Sequence, residues 1–234
     1  MISGKKLLEI EVETLFSHVT RSGLDLMIAT NEHVPAVAPR FFLGRTFDGV
    51  VWRIRQDVDP IIVNRLSELA VSENTEGRFN KPPVHHLEYQ ELLAVDGGLE
   101  IQSGPAYRLN AVGNSKMETI AVGWESADVI EGQFAGLKDK INFDQPCRIV
   151  KVDGKVVSIC YCERWGDRGA EAGVATLVEH RRNGYATAVV SDWACDVADR
   201  EKEAFYSTTW KNAPSQEVVR NLSADPYAVL INYL

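Results

Sequence analysis

A short polar turn contains the residues of this chain best suited to bind an anion. Residues 179–184 read EHRRNG and place Arg181, Arg182 and Gly184 directly before a predicted helix. Backbone N–H groups at a helix start have no intrahelical partner and carry a partial positive charge. Gly184 lacks a Cβ, so a ligand can approach the backbone, and arginines donate charge-assisted hydrogen bonds to phosphate oxygens. The turn therefore indicates a phosphate site, with solvated arginines in an ordinary strand-to-helix turn as the alternative.

The segments on either side of this turn must position it. Residues 172–178 are small and β-branched, which is typical of a buried strand. From Tyr185 onward the apolar residues recur at helical spacing. We therefore predict a strand, a tight turn and a helix in succession.

Further elements flank this unit on both sides. Residues 146–150 and 155–160 form a predicted hairpin about Asp153-Gly154, a dipeptide typical of two-residue turns. Downstream, residues 205–209 are predicted to form a strand, and a helix follows from Asn212. The predicted order is thus hairpin, strand, helix, strand, helix.

This order of segments resembles the GCN5-related N-acetyltransferases, the family that transfers acyl groups from coenzyme A to amines. Arg181-x-x-Gly184-x-Ala186 matches the family's Q/R-x-x-G-x-G/A signature, and Asn212 stands where the family has its N-x-x-A/S helix start. The resemblance covers residues 117–234 and depends on the order of the segments more than on any one motif. FFLGRT, WRIR and GPAY, in residues 41–107, are similar to N-terminal extensions found in the same family.

The resemblance implies an α/β (α+β) fold. We expect a mixed, mostly antiparallel sheet flanked by helices, preceded by a smaller β-rich α+β domain. Gly97-Gly98 marks a break, so we predict an N-terminal domain of residues 1–96 and a transferase domain of residues 97–234, opened by a strand near 101–109. The family's last strand is either absent or supplied by another subunit, which leaves a homodimer open.

The resemblance also implies acetyl-CoA or coenzyme A as cosubstrate, without a metal. The pantetheine arm would lie between the strands at 172–178 and 203–209 and pair with backbone groups, and the pyrophosphate would lie on the turn. The predicted contacts to the arm are Val174, Ala175, Thr176, Asn212 and Ser215, and those to the pyrophosphate are Arg181, Arg182, Asn183, Gly184, Tyr185, Ala186 and Thr187.

A proton must leave the acceptor amine, and Glu171 at the start of the central strand is the predicted general base. The alternative is a solvated carboxylate at a strand end, and Glu163 and His180 are further candidates for the base. Many relatives have a tyrosine as general acid seven residues beyond the asparagine. Here that position is Val219, so the role is vacant, and Tyr206 is the tyrosine nearest in sequence.

These residues predict an N-acetyltransferase that acts on a primary amine of a small molecule or peptide. The alternative function is a non-catalytic acyl-CoA-binding or sensing module, which needs the phosphate turn but no base. A structural protein that has lost its ligand is a third possibility, against which the presence of Arg181, Gly184 and Asn212 together argues. The sequence contains no P-loop, G-x-S-x-G, G-x-G-x-x-G or H-E-x-x-H motif.

The composition of the chain limits which binding partners and which cellular compartment are expected. A net charge of −8 argues against non-specific nucleic-acid binding, and no apolar run is long enough to span a bilayer. We therefore expect a cytoplasmic protein without nucleic-acid or membrane partners. The four cysteines form no C-x-x-C pair and His85-His86 lacks a second ligand pair, so core thiols and no metal are expected.

Two further segments receive local predictions. Residues 7–16 alternate partly and are predicted as a strand, and residues 128–141 as a helix. Asp59-Pro60 is a helix start, and a second helix is expected over residues 85–94.

Overall fold

The structure is a computed structural model, and it describes residues 2–21, 23–73, 79, 81–94, 98–111 and 117–234. The strands are Phe16–Arg21 (β1), Leu24–Thr30 (β2), Phe41–Thr46 (β3), Val50–Arg55 (β4), Ile101–Leu109 (β5), Ile120–Ala121 (β6), Cys147–Val152 (β7), Lys155–Trp165 (β8), Gly169–Thr176 (β9), Glu203–Ser207 (β10) and Pro226–Tyr233 (β11). The α-helices are Gly4–Leu15 (α1), Pro60–Val71 (α2), His86–Leu93 (α3), Tyr185–Ala198 (α4) and Ala213–Asn221 (α5). Three 3₁₀ segments span Trp124–Val129, Gly132–Lys140 and Val178–His180.

The described strands form one mixed, mostly antiparallel sheet, as predicted. Its order is β1-β2-β4-β3-β11-β5-β10-β9-β8-β7-β6, and the β2–β4 and β9–β10 pairs are parallel. β11 lies between β3 and β5, so strands from the first hundred residues and from the rest of the chain share one sheet. The predicted boundary at residues 96–97 falls outside the described residues.

The two faces of the sheet carry different helices. On β11, Val229 and Ile231 pack in the core that contains α2 and α3, whereas Leu230 packs with α1. Pairing through β5 places α4 and α5 on the same face as α2 and α3. Trp193 of α4 is fully buried in that core. α1 therefore covers one face of the central strands, and the other four helices cover the opposite face.

Several local predictions are confirmed in both halves of the chain. Asp153 and Gly154 turn the β7–β8 hairpin with φ of 51° and 78°, as a two-residue D-G turn requires. The predicted strand at 101–109, the helix after Asn212 and the final strand all form. The predicted helices at Asp59-Pro60 and 85–94 form as well.

The predicted strand at residues 7–16 is wrong, because this segment is the helix α1. Ser3 caps it by accepting a hydrogen bond from the Lys6 N–H at 3.2 Å. Leu8, Val12 and Leu15 recur at helical spacing and are buried against the sheet. The stripe at spacings of four and three residues, rather than the partial alternation, decides the structure.

The predicted helix at residues 128–141 is also wrong. The region forms two 3₁₀ segments, separated where Gly132 has a φ of 60°. A residue with positive φ interrupts an α-helix, so the ladder of i to i+4 hydrogen bonds does not continue there. The apolar residues of the region, among them Ile130, Phe134 and Ile141, are nevertheless buried.

Candidate active site

The parallel strands β9 and β10 separate after a short pairing and open a cavity. Their register ends at the Phe205–Glu171 pair, whereas β9 continues to pair with β8 as far as Thr176. The cavity has a volume of about 350 Å³. Its wall includes Ala172 and Val174 of β9, Tyr206 and Ser207 of β10, and Asn212 and Ser215 at the start of α5. Two adjacent carboxyl-terminal strand ends thus form a crevice, the usual place for a ligand in open α/β sheets.

The exposed edge of β9 presents backbone groups to this opening. The Leu177 N–H donates to the Val157 carbonyl at 2.9 Å, which fixes the phase of the β8–β9 ladder. Because peptide groups alternate along a strand, those of Val174 and Thr176 point away from β8 and toward the opening. The peptide groups of Ala175 point toward β8. Of the three strand residues predicted to contact the ligand through their backbone, two therefore face the opening.

The turn before α4 has the conformation of an anion-binding nest. Gly184 has a φ of 79° and Arg182 a φ of 64°. In the described part of the chain, the N–H groups of residues 182–187 have no hydrogen-bond partner. The Asn183 amide donates to two carbonyls of the turn, and Arg181 Nε donates to the Thr176 carbonyl at 3.4 Å. Successive free N–H groups of this kind form a concave site for a phosphate group.

Asn212 and Ser215, at the start of α5, lie on the cavity wall, and both are among the predicted contacts to the cosubstrate. The Asn212 side-chain oxygen caps α5 by accepting from the Ser215 N–H at 3.2 Å. Asn212 therefore holds the helix end beside the cavity, and its amide nitrogen remains as a donor. The turn residues 181–187 do not line the cavity but lie beyond the same end of β9.

Glu171 is buried where β9 and β10 separate. Its exposure is 3%, so the interpretation as a solvated strand-end carboxylate is wrong. One carboxylate oxygen, Oε1, accepts from both the backbone N–H and the hydroxyl of Ser207, each at 2.6 Å. The other, Oε2, is buried and has no hydrogen-bond partner among the described residues. Burial raises the pKa of the Glu171 carboxyl, and the Ser207 hydrogen bonds and the Arg164 charge lower it.

A second buried carboxyl, Glu11 of α1, lies near Glu171 on the same face of the sheet. It is fully buried, and the Tyr227 hydroxyl donates a hydrogen bond to it. Burial and the charge of Glu171 raise the pKa of Glu11 well above its usual value, with Arg164 opposing. Arg164 itself pairs with Glu32 at 2.7 Å. The sequence predictions missed Glu11. The pattern that could have indicated it is a charged residue on the apolar stripe of a helix.

Tyr206 contributes a further polar group to the cavity wall. The residue is 2% exposed, and its hydroxyl makes no well-aligned hydrogen bond among the described residues, with Ser215 as its polar neighbour. Burial raises the pKa of Tyr206 to about 12, so the hydroxyl keeps its proton at neutral pH. Val219, at the position where relatives have a tyrosine, is buried in the core beside α4. Glu163 and His180, the further candidates for a base, do not line the cavity. Glu171 does not line it either, but its strand neighbour Ala172 and its hydrogen-bond partner Ser207 do.

The described residues offer neither a cluster of metal ligands nor a membrane-spanning helix. They contain no group of three or more His, Cys, Asp or Glu side chains arranged to hold a metal ion. No described helix has the length and apolar character that a membrane span requires. All four cysteines have free thiols, and three of them are buried.

The chain is similar to known proteins both in part of its sequence and in its fold. Residues 159–225, from β8 to the end of α5, match the family model of FR47-like proteins. No curated protein sequence matches the chain. Among solved structures, a functionally unknown conserved protein from Staphylococcus epidermidis ATCC 12228 is similar with a TM-score of 0.53 and 13% identity. The similarity covers 99% of this chain and 96% of that one.

A GCN5-related N-acetyltransferase from Kribbella flavida is similar with a TM-score of 0.50 and 14% identity. Here the similarity covers 99% of this chain and 95% of the other. At such identities the likeness concerns the fold. The resemblance to that family, predicted from the order of segments around Arg181 and Gly184, is confirmed.

Proposed function

We propose that this chain, which has the fold of the GCN5-related N-acetyltransferases, transfers an acetyl group from acetyl-CoA to a primary amine of a small molecule or peptide. The observation that carries the proposal is the juxtaposition of three features at one sheet edge. These are the open backbone edge of β9, the free N–H groups before α4, and the buried carboxyl of Glu171 where the strands separate. The phosphate site, the strand edge that pairs with the pantetheine arm, and the base would then follow one another along the bound cosubstrate.

The residues present fit the cosubstrate. A Cβ placed on Gly184 would meet no atom within 4 Å, so the space over the turn is open to a pyrophosphate. Arg182, Gly184 and the first turn of α4 offer N–H donors to that group, and Arg181 adds a positive charge. Val174 and Thr176 would pair with the amides of the pantetheine arm, while Asn212 and Ser215 would contact it from α5.

When bound, acetyl-CoA supplies the activated acyl group. The protein's contribution would consist mainly of holding a neutral amine against that group, and an N–H on the β9 edge would stabilise charge on the carbonyl oxygen. Glu171 would take the amine proton, directly or through a water, because burial raises its pKa toward that of a useful base. Tyr206 would hold a proton for the departing sulfur, the role that Val219 cannot perform.

The alternative, a non-catalytic acyl-CoA sensor, needs neither Glu171 beside the cavity nor Tyr206 in its wall. Glu171 beside the cavity, with one buried oxygen unpartnered among the described residues, and Tyr206 in the cavity wall favour the enzyme. A sensor has no use for a proton acceptor at this place, and burying a carboxyl whose second oxygen has no hydrogen-bond partner among the described residues costs stability.

One experiment separates these functions. Acetyl-CoA binding is measured by calorimetry, and release of the coenzyme A thiol is followed with amino acids, polyamines, aminoglycosides, arylalkylamines and peptide N-termini. We expect micromolar binding and amine-dependent release, reduced at least about tenfold in Tyr206→Phe. Binding without release for any acceptor would favour the sensor, and absence of binding would contradict both.

A further inference from the structure

A buried carboxyl of α1, Glu11, lies over the strand that carries the proposed base. Glu11 and Thr14 are three residues apart on the same side of α1, and both are buried. A Cβ on Gly169 of β9 would lie 2.6 Å from the Thr14 hydroxyl oxygen, so Thr14 lies directly over that position. Glu171 is two residues further along β9, and its side chain is therefore on the same face of the sheet. One turn of α1 thus places Glu11 in the neighbourhood of Glu171.

The two carboxyls differ in their hydrogen-bond donors. Oε1 of Glu171 accepts two hydrogen bonds from Ser207, whereas Oε2 of Glu11 accepts one, from the Tyr227 hydroxyl. Burial raises the pKa of Tyr227 well above its usual value, so this hydroxyl remains a donor. Hydrogen bonds donated to a carboxylate favour its ionised form. Glu171 is therefore the better stabilised of the two as an anion.

Three polar atoms around these carboxyls are buried and have no hydrogen-bond partner among the described residues. They are Oε1 of Glu11, Oε2 of Glu171 and Nε of Arg164 on β8. The charge of Arg164 acts on both carboxyls, which places its guanidinium near them. A buried water commonly makes about three hydrogen bonds to groups of this kind, so a single water would link all three side chains.

The charges around Glu11 and Glu171 do not compensate two ionised carboxylates. The charged and titratable groups near the pair include Arg164 and Glu163 of β8, Glu32 after β2, Tyr227 of β11, and the ion pair of Glu203 on β10 with Arg108 on β5. Arg164 already pairs with Glu32 at 2.7 Å. Ionising both Glu11 and Glu171 would place two buried anions beside this one partly neutralised guanidinium, which is costly. Burial and the charge of Glu171 accordingly raise the pKa of Glu11 well above its usual value.

We propose that Glu11 and Glu171 share one proton, which resides on Glu11 and is donated through a bridging water to the free oxygen of Glu171. Glu11 is then a positioning residue for the base, because its donor keeps Glu171 ionised and its second oxygen in place. That oxygen has a further lone pair for the amine proton. The proton that Glu171 takes leaves to solvent after the transfer, and Glu11 keeps its own throughout. The inference rests on the proposed function and gives the first helix of the chain a part in the reaction.

Infrared spectra of the whole protein without ligand test where the shared proton resides. At pH 7 the wild type should show the C=O stretch of a protonated carboxyl. Difference spectra should show that Glu11→Gln loses this band and that Glu171→Gln retains it. Glu13→Gln is the control on the same helix, since that carboxylate is exposed and pairs with Arg168. A wild type without the band, or a band that Glu171→Gln removes and Glu11→Gln retains, would overturn the inference.

The pH dependence of kcat tests whether this proton serves the base. The acceptor is the amine that reacts fastest in the screen described above. Glu11→Leu removes the donor and so destabilises the anion of Glu171, which should shift the acid limb of the profile upward by about one pH unit. Glu11→Gln keeps a neutral donor and should restore the limb to within about 0.3 unit of the wild type. A purely structural role for Glu11 would leave the limb at the same pH in all three proteins.

Two outcomes separate this inference from the proposed function. If acetyl-CoA binds but no amine supports release, the proposed function fails and the role of Glu11 toward a base fails with it, whereas the infrared comparison still decides whether Glu11 holds the proton. Glu11→Leu leaves the Tyr227 hydroxyl without its acceptor, so its melting temperature is measured first. Should that variant not fold, the infrared comparison of the wild type, Glu11→Gln and Glu171→Gln decides alone.

Discussion

Both donors of Ser207, its backbone N–H and its hydroxyl, converge on the same oxygen of Glu171, each at 2.6 Å. This pair holds the carboxyl in one orientation and leaves its second oxygen free for a proton. The carboxyl lies at the last paired position of β9 and β10, where the cavity begins.

Replacing the proposed base should remove the reaction but keep the cosubstrate. Glu171→Gln retains an oxygen for the Ser207 donors and loses the ability to take a proton, so acetyl transfer should fall at least about 100-fold. Binding of acetyl-CoA should be unchanged by calorimetry. Glu203→Gln on β10 is the control, because that carboxylate forms an ion pair with Arg108 and does not line the cavity. Retained activity in Glu171→Gln would assign the base elsewhere.

Adding a negative side chain to the phosphate turn should abolish cosubstrate binding. Gly184→Glu places bulk and charge over free N–H groups, which should weaken coenzyme A binding more than about 100-fold by calorimetry. Gly154→Glu is a matched control, because Gly154 has a φ of 78° against 79° for Gly184 and both have open space around a Cβ. Both variants bear similar backbone strain of about 1–2 kcal/mol, so their melting temperatures should fall alike. If the two variants bind coenzyme A with equal affinity, the phosphate site does not lie at Gly184.

The buried carboxyls predict how stability depends on pH. Since the pKa values of Glu11 and Glu171 are raised in the fold, the folded protein retains protons that the unfolded chain releases. The stabilisation is complete below the ordinary carboxyl pKa near 4.5 and declines as the pH rises through the folded values. Glu11→Gln should therefore be more stable than the wild type at pH 8, by about 1 kcal/mol or more, with a smaller difference at pH 4.

Urea unfolding at pH 4, 6 and 8 measures this difference. Glu13→Gln is the control on the same helix, since that carboxylate is exposed and pairs with Arg168. A Glu11→Gln profile parallel to that of the wild type would mean that Glu11 binds no extra proton in the fold.

The close approach at Gly104 predicts a destabilising substitution. Gly104→Ala would force the segment after β10 away from β5, because the added Cβ would lie 1.8 Å from a carbonyl oxygen. We expect a loss of about 2 kcal/mol or more in the free energy of unfolding and lower transfer activity. Gly136→Ala is the control, since a Cβ there meets nothing within 4 Å. A thermal unfolding curve of Gly104→Ala that matches the control would contradict the geometry.

Features set by neighbouring residues were predictable from the sequence. The Asp153-Gly154 hairpin and the strand, turn and helix around Gly184 follow from turn chemistry and apolar periodicity. Residues 7–16 fit two periodicities at once, and only packing against the sheet selects the helix.

Features set by distant pairing were not predictable. The orientation of Glu171 depends on Ser207, which the parallel register of β10 brings to it. Likewise, nothing near Trp210 in the sequence indicates that Pro82 and Pro83 lie across a cavity from it.

The position of β11 between two distant parts of the chain affects how the protein folds. It pairs on one side with residues 41–46 and on the other with residues 101–107, contacts that span well over a hundred positions of the chain. Contacts between residues so far apart in the sequence require large loops to close. The entropy of loop closure is lost before these contacts stabilise the fold, and this slows folding. A chain without this strand would have two unpaired inner edges, each a template for association with another copy.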